Sequence, residues 1–454
     1  MRIILVGAGE VGLNVARDLI RDGHDLTIVE RDEALAQRVD EELDARVVRG
    51  NGARPQTLEE AGLGEAGSVD LLIGATDKDE VNILACWIAK KGGVPQTMAR
   101  VRSMEFTDTQ SWARDLNVDL LISPERSVAR EIQELLQVGA SFHAATLMQE
   151  RAGIYGFTLS GGSPLLNRPL KDLTAAYREL RTIIVYVRRG RQGFVPSGDS
   201  VLLKGDLCYV ATLREDRDLV AGLFTGEANR PLRRVMIVGG GKIGYQVAKR
   251  LEENFQKIDI RLIDRDMEKC EILARELHKT TVLHGDASDS ELLRYEGIDE
   301  TDGFVCTTAS DEMNLVLAAM GHNLGARKTI SVVRKHSYLN LQEAFHTDAL
   351  VNPNEALAST ILHRIRYPRG MGAVSVIDQI DAELGEITLA PASPAVEKRV
   401  MELDIPRGVI LALVERGEEV FVPKGSTVLK ENDHLLFFSS RDNLHKALAA
   451  LGAE

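Results

Sequence analysis

Two glycine-rich segments of this chain have the residue types and the spacing that bind a pyrophosphate. They read G-x-G-x-x-G, as Gly7-Ala8-Gly9-Glu10-Val11-Gly12 and Gly239-Gly240-Gly241-Lys242-Ile243-Gly244. In this pattern the first glycine allows a tight turn, the second lets the backbone approach the phosphates, and the third lets a helix pack against the preceding strand. The helix that begins there offers free N–H groups to the phosphates.

An acidic residue follows each glycine segment at the distance expected for contact with a ribose. Glu30 ends the next apolar run in the first half of the chain, and Asp264 does so in the second. A carboxylate in that position accepts hydrogen bonds from ribose hydroxyls. It also repels a 2′-phosphate and therefore favours NAD over NADP. Because strand, helix and acid occur twice, we interpret the segments as two nucleotide sites rather than as turns that only close a βα unit.

The elements that must position these residues are indicated by the pattern of apolar runs. Short apolar runs alternate with helical patterns over residues 1–123 and again over 232–350. This alternation predicts an α/β protein with two Rossmann-type domains, each a doubly wound parallel sheet. Residues 140–226 and 370–454 contain short β-runs, hairpin turns and a flanking helix, which indicates two small α+β domains. The breaker-rich segment 225–231 is the predicted joint between the halves.

The repeat continues beyond the glycine segments and adds candidate ligand residues. Thr76 and Thr308 follow predicted strands, at the edge where open α/β sheets bind ligands, although either threonine could instead cap the next helix. Arg100 and Arg334 are interpreted as residues of one register that reach a phosphate, with an exposed strand position as the alternative. Asn82 and Asn314 lie in apolar helices. We interpret both as satisfied polar groups at the surface, and a functional role is the alternative.

Length and composition restrict the function. A chain of 454 residues should hold several domains. Its net charge of −13 argues against non-specific binding to nucleic acid or anionic lipid. The four scattered cysteines show no metal-ligand spacing and are predicted to be thiols in a reducing cytosol. With no signal-peptide pattern and no apolar run of about 18 residues, we expect a cytoplasmic protein that reaches a membrane only through a partner.

This arrangement resembles the TrkA family, the peripheral cytosolic subunit of bacterial Trk potassium-uptake systems. Chains of that family carry two RCK (regulator of potassium conductance) units in tandem. Besides the glycine loops, the resemblance depends on the Gly-Asp-Ala-Ser turn at 285–288 and on the Thr-x-x-Asp-Glu-x-Asn stretches at 76–82 and 308–314. It also depends on the V-P-x-G segments at 195–198 and 422–425.

The resemblance implies two RCK units, each a Rossmann domain followed by a small α+β RCK C-terminal domain, and no catalysed reaction. NAD or NADH, with ATP and ADP as further candidates, would regulate an integral membrane potassium channel subunit of the TrkH or TrkG type. The chain would lie on the cytoplasmic face of the cell membrane through that partner. It would assemble into a homo-oligomer, a ring of RCK units, and would bind no nucleic acid.

The resemblance also implies where the ligand lies in each half. In the first half Gly7 to Val11 would hold the pyrophosphate, and the remaining contacts would come from Glu30, Asn51, Thr76, Asp77 and Arg100. In the second half Gly239 to Ile243 would hold it, with Asp264, Asp286, Thr307, Thr308 and Arg334. Asn51 departs from the family's Gly-Asp turn and leaves the first site with one carboxylate fewer near the adenine.

An enzyme is the alternative interpretation, either an NAD-dependent dehydrogenase or a nucleotide hydrolase. A dehydrogenase needs an acid or base beside the nicotinamide, and the two predicted α+β domains show no such set of residues. Lys242 suggests a phosphate-binding P-loop, but the Ser or Thr that must follow the lysine to bind magnesium is absent. The sequence therefore favours a regulator.

Overall fold

The computed structural model describes ten ranges, which are residues 1–64, 69–103, 114–177, 179–190, 192–342, 344–366, 375–377, 382–406, 408–440 and 443–452. The predicted domain limits at residues 370 and 454 lie outside these ranges. The strands of the described ranges form four sheets, which alternate along the chain between six-stranded and five-stranded.

The first sheet is parallel and six-stranded. Its strands are β1 (Arg2–Val6), β2 (Asp25–Glu30), β3 (Arg46–Arg49), β4 (Leu71–Gly74), β5 (Gln96–Arg100) and β6 (Leu120–Ile122). They lie in the order β3-β2-β1-β4-β5-β6. The helices of this region are α1 (Glu10–Arg21), α2 (Glu33–Glu42), α3 (Pro55–Glu60), α4 (Asp79–Lys91) and α5 (Pro124–Gln137). The order reverses between β1 and β4, as in doubly wound folds that bind nucleotides.

An antiparallel sheet follows. Its elements are β7 (Ser141–Leu147), β8 (Ala152–Thr158), α6 (Leu170–Ala176), β9 (Thr182–Arg189), β10 (Gln192–Phe194), β11 (Leu207–Leu213) and α7 (Arg217–Thr225). The strands lie in the order β10-β9-β11-β8-β7. This region is the predicted small α+β fold.

The third sheet repeats the first. Its strands are β12 (Arg234–Val238), β13 (Asp259–Asp264), β14 (Thr280–His284), β15 (Gly303–Cys306), β16 (Thr329–Val332) and β17 (Ala349–Val351). They lie in the order β14-β13-β12-β15-β16-β17. The helices are α8 (Lys242–Asn254), α9 (Met267–Glu276), α10 (Ser290–Tyr295), α11 (Asp311–Asn323) and α12 (Pro353–Arg366), with 3-10 turns at Ile298–Glu300 and His336–Leu341.

The fourth sheet is antiparallel and repeats the second. Its elements are β18 (Ser375–Ile377), β19 (Ala382–Thr388), a 3-10 turn (Val400–Glu402), β20 (Val409–Arg416), β21 (Glu419–Phe421), β22 (His434–Ser440) and α13 (Leu444–Leu451). The strands lie in the order β18-β19-β22-β20-β21. The predicted fold class, two Rossmann-type domains each followed by an α+β domain, is confirmed.

The parallel sheets are covered on both faces, which explains their continuous apolar strands. In β1, Ile3 and Leu5 pack into one core, whereas Ile4 and Val6 pack into another. Side chains alternate between the two faces of a strand, so a strand that is buried on both faces needs apolar residues at every position. This burial fixes β1 at the centre of its sheet.

The chain divides into two compact units, Met1–Val128 with Asn352–Arg366, and Ala129–Val351 with Tyr367–Glu454. Helix α12 therefore follows the second parallel sheet in sequence but belongs to the first unit. Its residues Leu357 and Ile361 are buried in the same core as Leu5. The sequence predicts a helix after Asn352-Pro353, and the structure shows that this helix packs against α1.

Within the second unit, the two antiparallel sheets share one hydrophobic core. Val185 and Tyr209 of the second sheet lie in the same cluster as Ala412 and Phe438 of the fourth. The four cysteines are buried and unpaired. No helix in the described ranges is long and apolar enough to cross a bilayer.

Candidate nucleotide-binding sites

The first glycine of each loop has a backbone conformation that favours glycine. Gly7 and Gly239 both have φ at 101°. A Cβ on Gly7 would lie 2.8 Å from Cγ2 of Thr76, and one on Gly239 would lie 2.9 Å from the backbone nitrogen of Thr308. Each turn therefore passes close to the segment after the fourth strand of its own sheet, a separation that no side chain at these positions would permit.

The third position of each loop must be glycine for a different structural reason. A Cβ on Gly12 would lie 2.0 Å from the carbonyl oxygen of Gly7, and a Cβ on Gly244 would lie 1.9 Å from that of Gly239. These distances are far below a van der Waals contact. The third glycine is thus required by the close approach of the helix to the turn that precedes it.

The second glycine faces open space. An added Cβ on Gly9 or Gly241 would meet no atom within 4 Å. These two residues are also the N-caps of α1 and α8, and neither helix has a side chain that caps its first N–H groups. Each loop therefore presents an open surface beside uncapped amides, and a phosphate group fits that combination.

The other positions of the loops contribute in different ways. Ala8, Val11 and Ile243 are buried, so they offer a ligand only backbone groups. Glu10 and Lys242 are exposed at the first turn of their helices. The sequence assigned all of these residues to ligand binding, and the structure divides them between core and surface.

Glu30 holds the first glycine loop in place. Its Oε2 accepts a hydrogen bond from the Ala8 amide at 2.7 Å. Its Oε1 accepts from the amides of Arg31 at 2.7 Å and Asp32 at 2.8 Å. A carboxylate has about four acceptor positions, so the backbone takes three of them and leaves one for a ribose hydroxyl. The sequence predicted only the ribose contact for Glu30, and not its bonds to the glycine loop.

Asp264 has the same structural role in the second loop. It accepts hydrogen bonds from the amides of Gly240 at 2.7 Å and Asp266 at 2.9 Å, and from Nζ of Lys269 at 3.3 Å. Burial acts to raise the pKa of Asp264, but the amide bonds and Lys269 outweigh burial and lower it. The acid is therefore ionised at neutral pH, and one of its three partners is a side chain that can move.

A buried asparagine fixes the segment after β4. Asn82 Oδ1 accepts from the amide of Thr76 at 2.9 Å and from its hydroxyl at 2.6 Å. Asn82 Nδ2 donates to the carbonyls of Thr76 at 3.0 Å and Arg100 at 2.9 Å. The side chain thus ties the ends of β4 and β5 together, at the edge of the sheet where the glycine loop lies.

Asn314 makes the same set of bonds in the second half. It bonds the amide, hydroxyl and carbonyl of Thr308 at 2.8, 2.6 and 3.2 Å, and the carbonyl of Val332 at 2.8 Å. The alternative that the threonines cap the helices is wrong, because the N-caps are Lys78 and Ser310. The asparagines are satisfied polar groups, but they are buried rather than on the surface. The sequence signal for this shared role is that an asparagine is the seventh residue of both Thr-x-x-Asp-Glu-x-Asn stretches.

Two buried aspartates of the same stretches hold the chain after the fifth strand. Asp79 accepts from the amides of Arg102 and Ser103, at 2.9 and 2.7 Å. Asp311 accepts from the corresponding amides of Arg334 and Lys335, at 2.7 and 2.9 Å. Sequence reasoning did not select these aspartates.

These bonds correct the predicted register of the arginines. Because Asn82 bonds the carbonyl of Arg100 and Asn314 bonds that of Val332, Arg100 in the first half is equivalent to Val332 in the second. By the bonds to the two aspartates, Arg102 is equivalent to Arg334. The prediction that Arg100 and Arg334 recur at one register is therefore wrong. Two arginines in the first half, Arg100 and Arg102, are separated by one residue and allowed the wrong alignment. Matching Val101-Arg102 with Val333-Arg334 would have given the right one.

The arginines also differ in their partners. Nε of Arg100 is buried and has no hydrogen-bond partner in the part of the chain that the structure describes. Burial lowers the pKa of Arg100. Nε of Arg102 lies 3.3 Å from Oε1 of Glu125, and Nη1 of Arg334 lies 3.2 Å from Oδ1 of Asp311. The first site therefore contains a buried guanidinium donor that a bound anion would satisfy.

The remaining predicted residues lie in turns at the same edge. Asn51 accepts from the amide of Ala53 at 3.0 Å, and Asp286 accepts from the amide of Ser288 at 2.9 Å. The bonds from Ser288 lower the pKa of Asp286.

Two further residues complete the predicted set. Asp77 is exposed, one position after Thr76. Thr307 is buried, and its hydroxyl donates to the carbonyls of Val238 at 3.0 Å and Gly239 at 2.9 Å. Thr307 therefore holds the second glycine turn. No described group of His, Cys, Asp or Glu side chains is arranged to hold a metal ion.

Comparison with known proteins identifies the family and the fold of the chain. The TrkA-N domain model matches residues 3–124 and 235–353, and the TrkA-C domain model matches 384–452. The chain belongs to the TrkA family. The Trk system potassium uptake protein TrkA of Vibrio alginolyticus is 31% identical, over 96% of this chain and 95% of its own. A TrkA homolog of Archaeoglobus fulgidus is 32% identical, over 98% and 99%.

A solved structure shows the same fold in an RCK protein. The GsuK RCK domain superposes with a TM-score of 0.61 at 18% identity, covering 100% of this chain and 95% of that chain. The GsuK channel bound to NAD superposes with a TM-score of 0.62 at 19% identity, covering 100% and 79%. The predicted RCK architecture is confirmed.

Proposed function

We propose that this chain is a nucleotide-binding regulatory subunit of a membrane potassium transporter. The observation that carries the proposal is the duplicated glycine loop, which is open at its second glycine, uncapped at its helix and held by an acid. The TrkA relatives are named as Trk system potassium uptake proteins, and they match this chain over nearly its full length.

The proposed ligands are NAD and NADH, with ATP and ADP as further candidates. An acid on the ribose and a glycine loop on the phosphates recognise the adenosine and phosphate parts that these nucleotides share. GsuK, which has the same fold, has been solved bound to NAD. The acid at each site disfavours a 2′-phosphate and therefore NADP.

Each part of the site would have a separate task. In the first half the amides of the glycine loop would hold the phosphates, Glu30 would accept from the ribose, and Arg100 would donate to an anionic group. Asn51, Thr76 and Asp77 would line the pocket. In the second half the proposed ligand residues are Gly239 to Ile243, Asp264, Asp286, Thr307, Thr308 and Arg334.

The proposed mechanism is a shift in population between conformations of the regulator. A ligand changes such an equilibrium only by the difference between its affinities for the two states. The nucleotide itself would leave unchanged, so no reaction is proposed. The free energy that acts on the transporter would be that difference in binding, carried to a membrane potassium channel subunit of the TrkH or TrkG type. A homo-oligomeric ring on the cytoplasmic face of the membrane is the proposed assembly.

Two measurements test this function against an enzyme. With NADH or NAD the melting temperature should rise with ligand concentration, following RT ln(1 + [L]/Kd). NADH absorbance should stay constant during incubation with hydroxy and keto acids. Steady turnover of a nucleotide that is lost in Glu30→Ala or Asp264→Ala would overturn the proposal in favour of a dehydrogenase or hydrolase.

A third measurement tests the transporter link. Reconstituted with its membrane partner, the chain should make potassium flux depend on nucleotide, and the chain alone should pass no ions. A flux that is the same with and without nucleotide, under conditions where calorimetry shows both sites filled, would refute the regulatory role.

A further inference from the structure

The two glycine loops differ in charge at the residue after the second glycine. That residue is Glu10 in the first loop and Lys242 in the second, and each begins its helix beside the uncapped amides. Both side chains are exposed. A reversal from negative to positive beside these uncapped amides changes which ligands each loop attracts.

The surroundings of these two side chains sharpen the difference. Oε2 of Glu10 accepts a hydrogen bond from Nδ2 of Asn354 at 3.2 Å, which keeps the carboxylate at this end of α1. Lys242 makes no hydrogen bond or ion pair within the described residues, so its ammonium group is available to a ligand. The first loop therefore carries a held negative charge, and the second carries an unpaired positive one.

A second difference lies beside the ribose-binding acid. Five residues after the acid, the first half has Leu35 and the second half has Lys269. Nζ of Lys269 lies 3.3 Å from Oδ2 of Asp264. The negative charge of Asp264 is therefore countered by a lysine, whereas Glu30 is held by backbone amides.

Two differences act in the opposite direction, and neither cancels the first two. Asp286 replaces Asn51, and the hydrogen bonds from Ser288 keep its carboxylate ionised, but the nearby positive charge of Arg265 opposes it. Arg100 has only Val332 as its counterpart, and Arg102 adds a second positive charge near it. Three nearby carboxylates, those of Glu125, Asp79 and Asp77, outnumber these two cations. The second site thus keeps the larger positive charge near the phosphates.

From these charges we infer that the two sites take different classes of nucleotide. The second site binds nucleoside polyphosphates such as ATP, and the first site binds the dinucleotide NADH or NAD. A terminal phosphate carries about −1.5 to −2 at neutral pH, and the pyrophosphate of a dinucleotide has no such group. Lys242 attracts the terminal charge and Glu10 repels it, with an energy that grows with the charge of the ligand.

This inference rests on the proposed function, and the experiment separates the two. ATP and NADH are titrated by calorimetry into two full-length variants, Gly9→Val, which leaves the second site, and Gly241→Val, which leaves the first. Gly9→Val is expected to bind ATP more tightly than NADH, and Gly241→Val is expected to bind NADH more tightly than ATP. Adding Lys242→Glu to Gly9→Val should weaken ATP by roughly tenfold or more, with a smaller effect on NADH.

The reciprocal variant and a matched control complete the test. Glu10→Lys in the Gly241→Val background should strengthen ATP binding by a similar factor. Lys257→Glu makes the same charge change in an exposed turn beyond the far end of α8, and it should leave the ratio of ATP to NADH affinity unchanged. Equal ratios at the two sites, or a ratio that Lys242→Glu leaves unaltered, would overturn the inference and leave the proposed function standing. Absence of nucleotide binding at both sites would instead remove the proposed function.

Discussion

In the first Rossmann domain Asn82 ties Thr76 to the carbonyl of Arg100, and in the second Asn314 ties Thr308 to that of Val332 in the same way. The bonds are conserved between the two halves although the partner side chain changes from arginine to valine. The difference shows that the scaffold is made by main-chain groups and buried polar side chains. The charged side chains that face a ligand differ between the two domains, while the scaffold is the same.

The largest expected effect comes from filling the open face of a glycine loop. Gly9→Val and Gly241→Val should each abolish binding at their own site, because the new side chain occupies the space where the phosphates approach. Both variants should fold, since an added Cβ meets nothing within 4 Å. Calorimetric stoichiometry should fall by one site in each variant. If both variants keep the stoichiometry of the parent chain, the loops are structural turns only.

Gly12→Ala and Gly244→Ala are the matched contrast to those two variants. Their methyl groups would lie 2.0 and 1.9 Å from a carbonyl oxygen, so these changes should lower the melting temperature. A melting temperature equal to that of the parent chain would contradict the close approach of helix and turn.

The asparagines give the next largest effect, and they test whether the scaffold is equivalent in the two halves. Asn82→Ala and Asn314→Ala each remove four hydrogen bonds and leave buried backbone groups unpaired. Each should lower the free energy of unfolding of its own Rossmann domain by roughly 3 kcal/mol. Chemical denaturation measures both. A large loss of unfolding free energy in one domain with none in the other would show that the two scaffolds are not equivalent.

The acids provide a smaller and unequal effect. Glu30→Ala should weaken NADH binding at the first site by roughly 1–3 kcal/mol, the range for losing a bond to a charged group. Asp264→Ala should weaken binding at the second site by a smaller amount, because Lys269 is released and can contact the ligand. Calorimetry on the single-site backgrounds measures both losses. An Asp264→Ala loss that equals or exceeds the Glu30→Ala loss would contradict the role given to Lys269.

A pH-dependent effect distinguishes the halves at the residue that precedes Thr97 in the first half and Thr329 in the second, at the start of the fifth strand of each sheet. That residue is Gln96 in the first half and Lys328 in the second, where the lysine is 1% exposed. Its Nζ donates to the carbonyls of Leu135 and Val138 and to Oγ of Ser141. Burial lowers the pKa of Lys328 to about 7, while Asp348 opposes the shift.

The sign of this pH dependence follows from the number of protons bound. Between about pH 7 and about pH 10.4, the unfolded chain keeps the lysine proton that the folded chain has lost. Stability should therefore rise with pH in that window, by up to about 1.4 kcal/mol per pH unit. Lys328→Met should remove this slope, and Gln96→Met should not alter it. A slope that Lys328→Met leaves unchanged would show that the ammonium group is not the source.

Much of the fold could be predicted because its signals are local. An apolar strand, a glycine-rich turn and an acid at the end of the next strand are visible in the sequence over about thirty residues, and they occur twice. The two Rossmann-type parallel sheets and the two small α+β domains follow from such patterns. The position of α12 did not, because Leu357 and Ile361 would give the same amphipathic pattern against any apolar surface.

The candidate sites divide in the same way. The sequence by itself determined the glycine loops, the paired acids and the repeat of Thr-x-x-Asp-Glu-x-Asn, since spacing along the chain defines them. Only the tertiary structure decided that Glu30 and Asp264 hold their own glycine loops, and that α12 packs against α1. Hydrogen-bond partners and helix packing depend on how segments that are distant in sequence come together. Spacing along the chain does not contain that information.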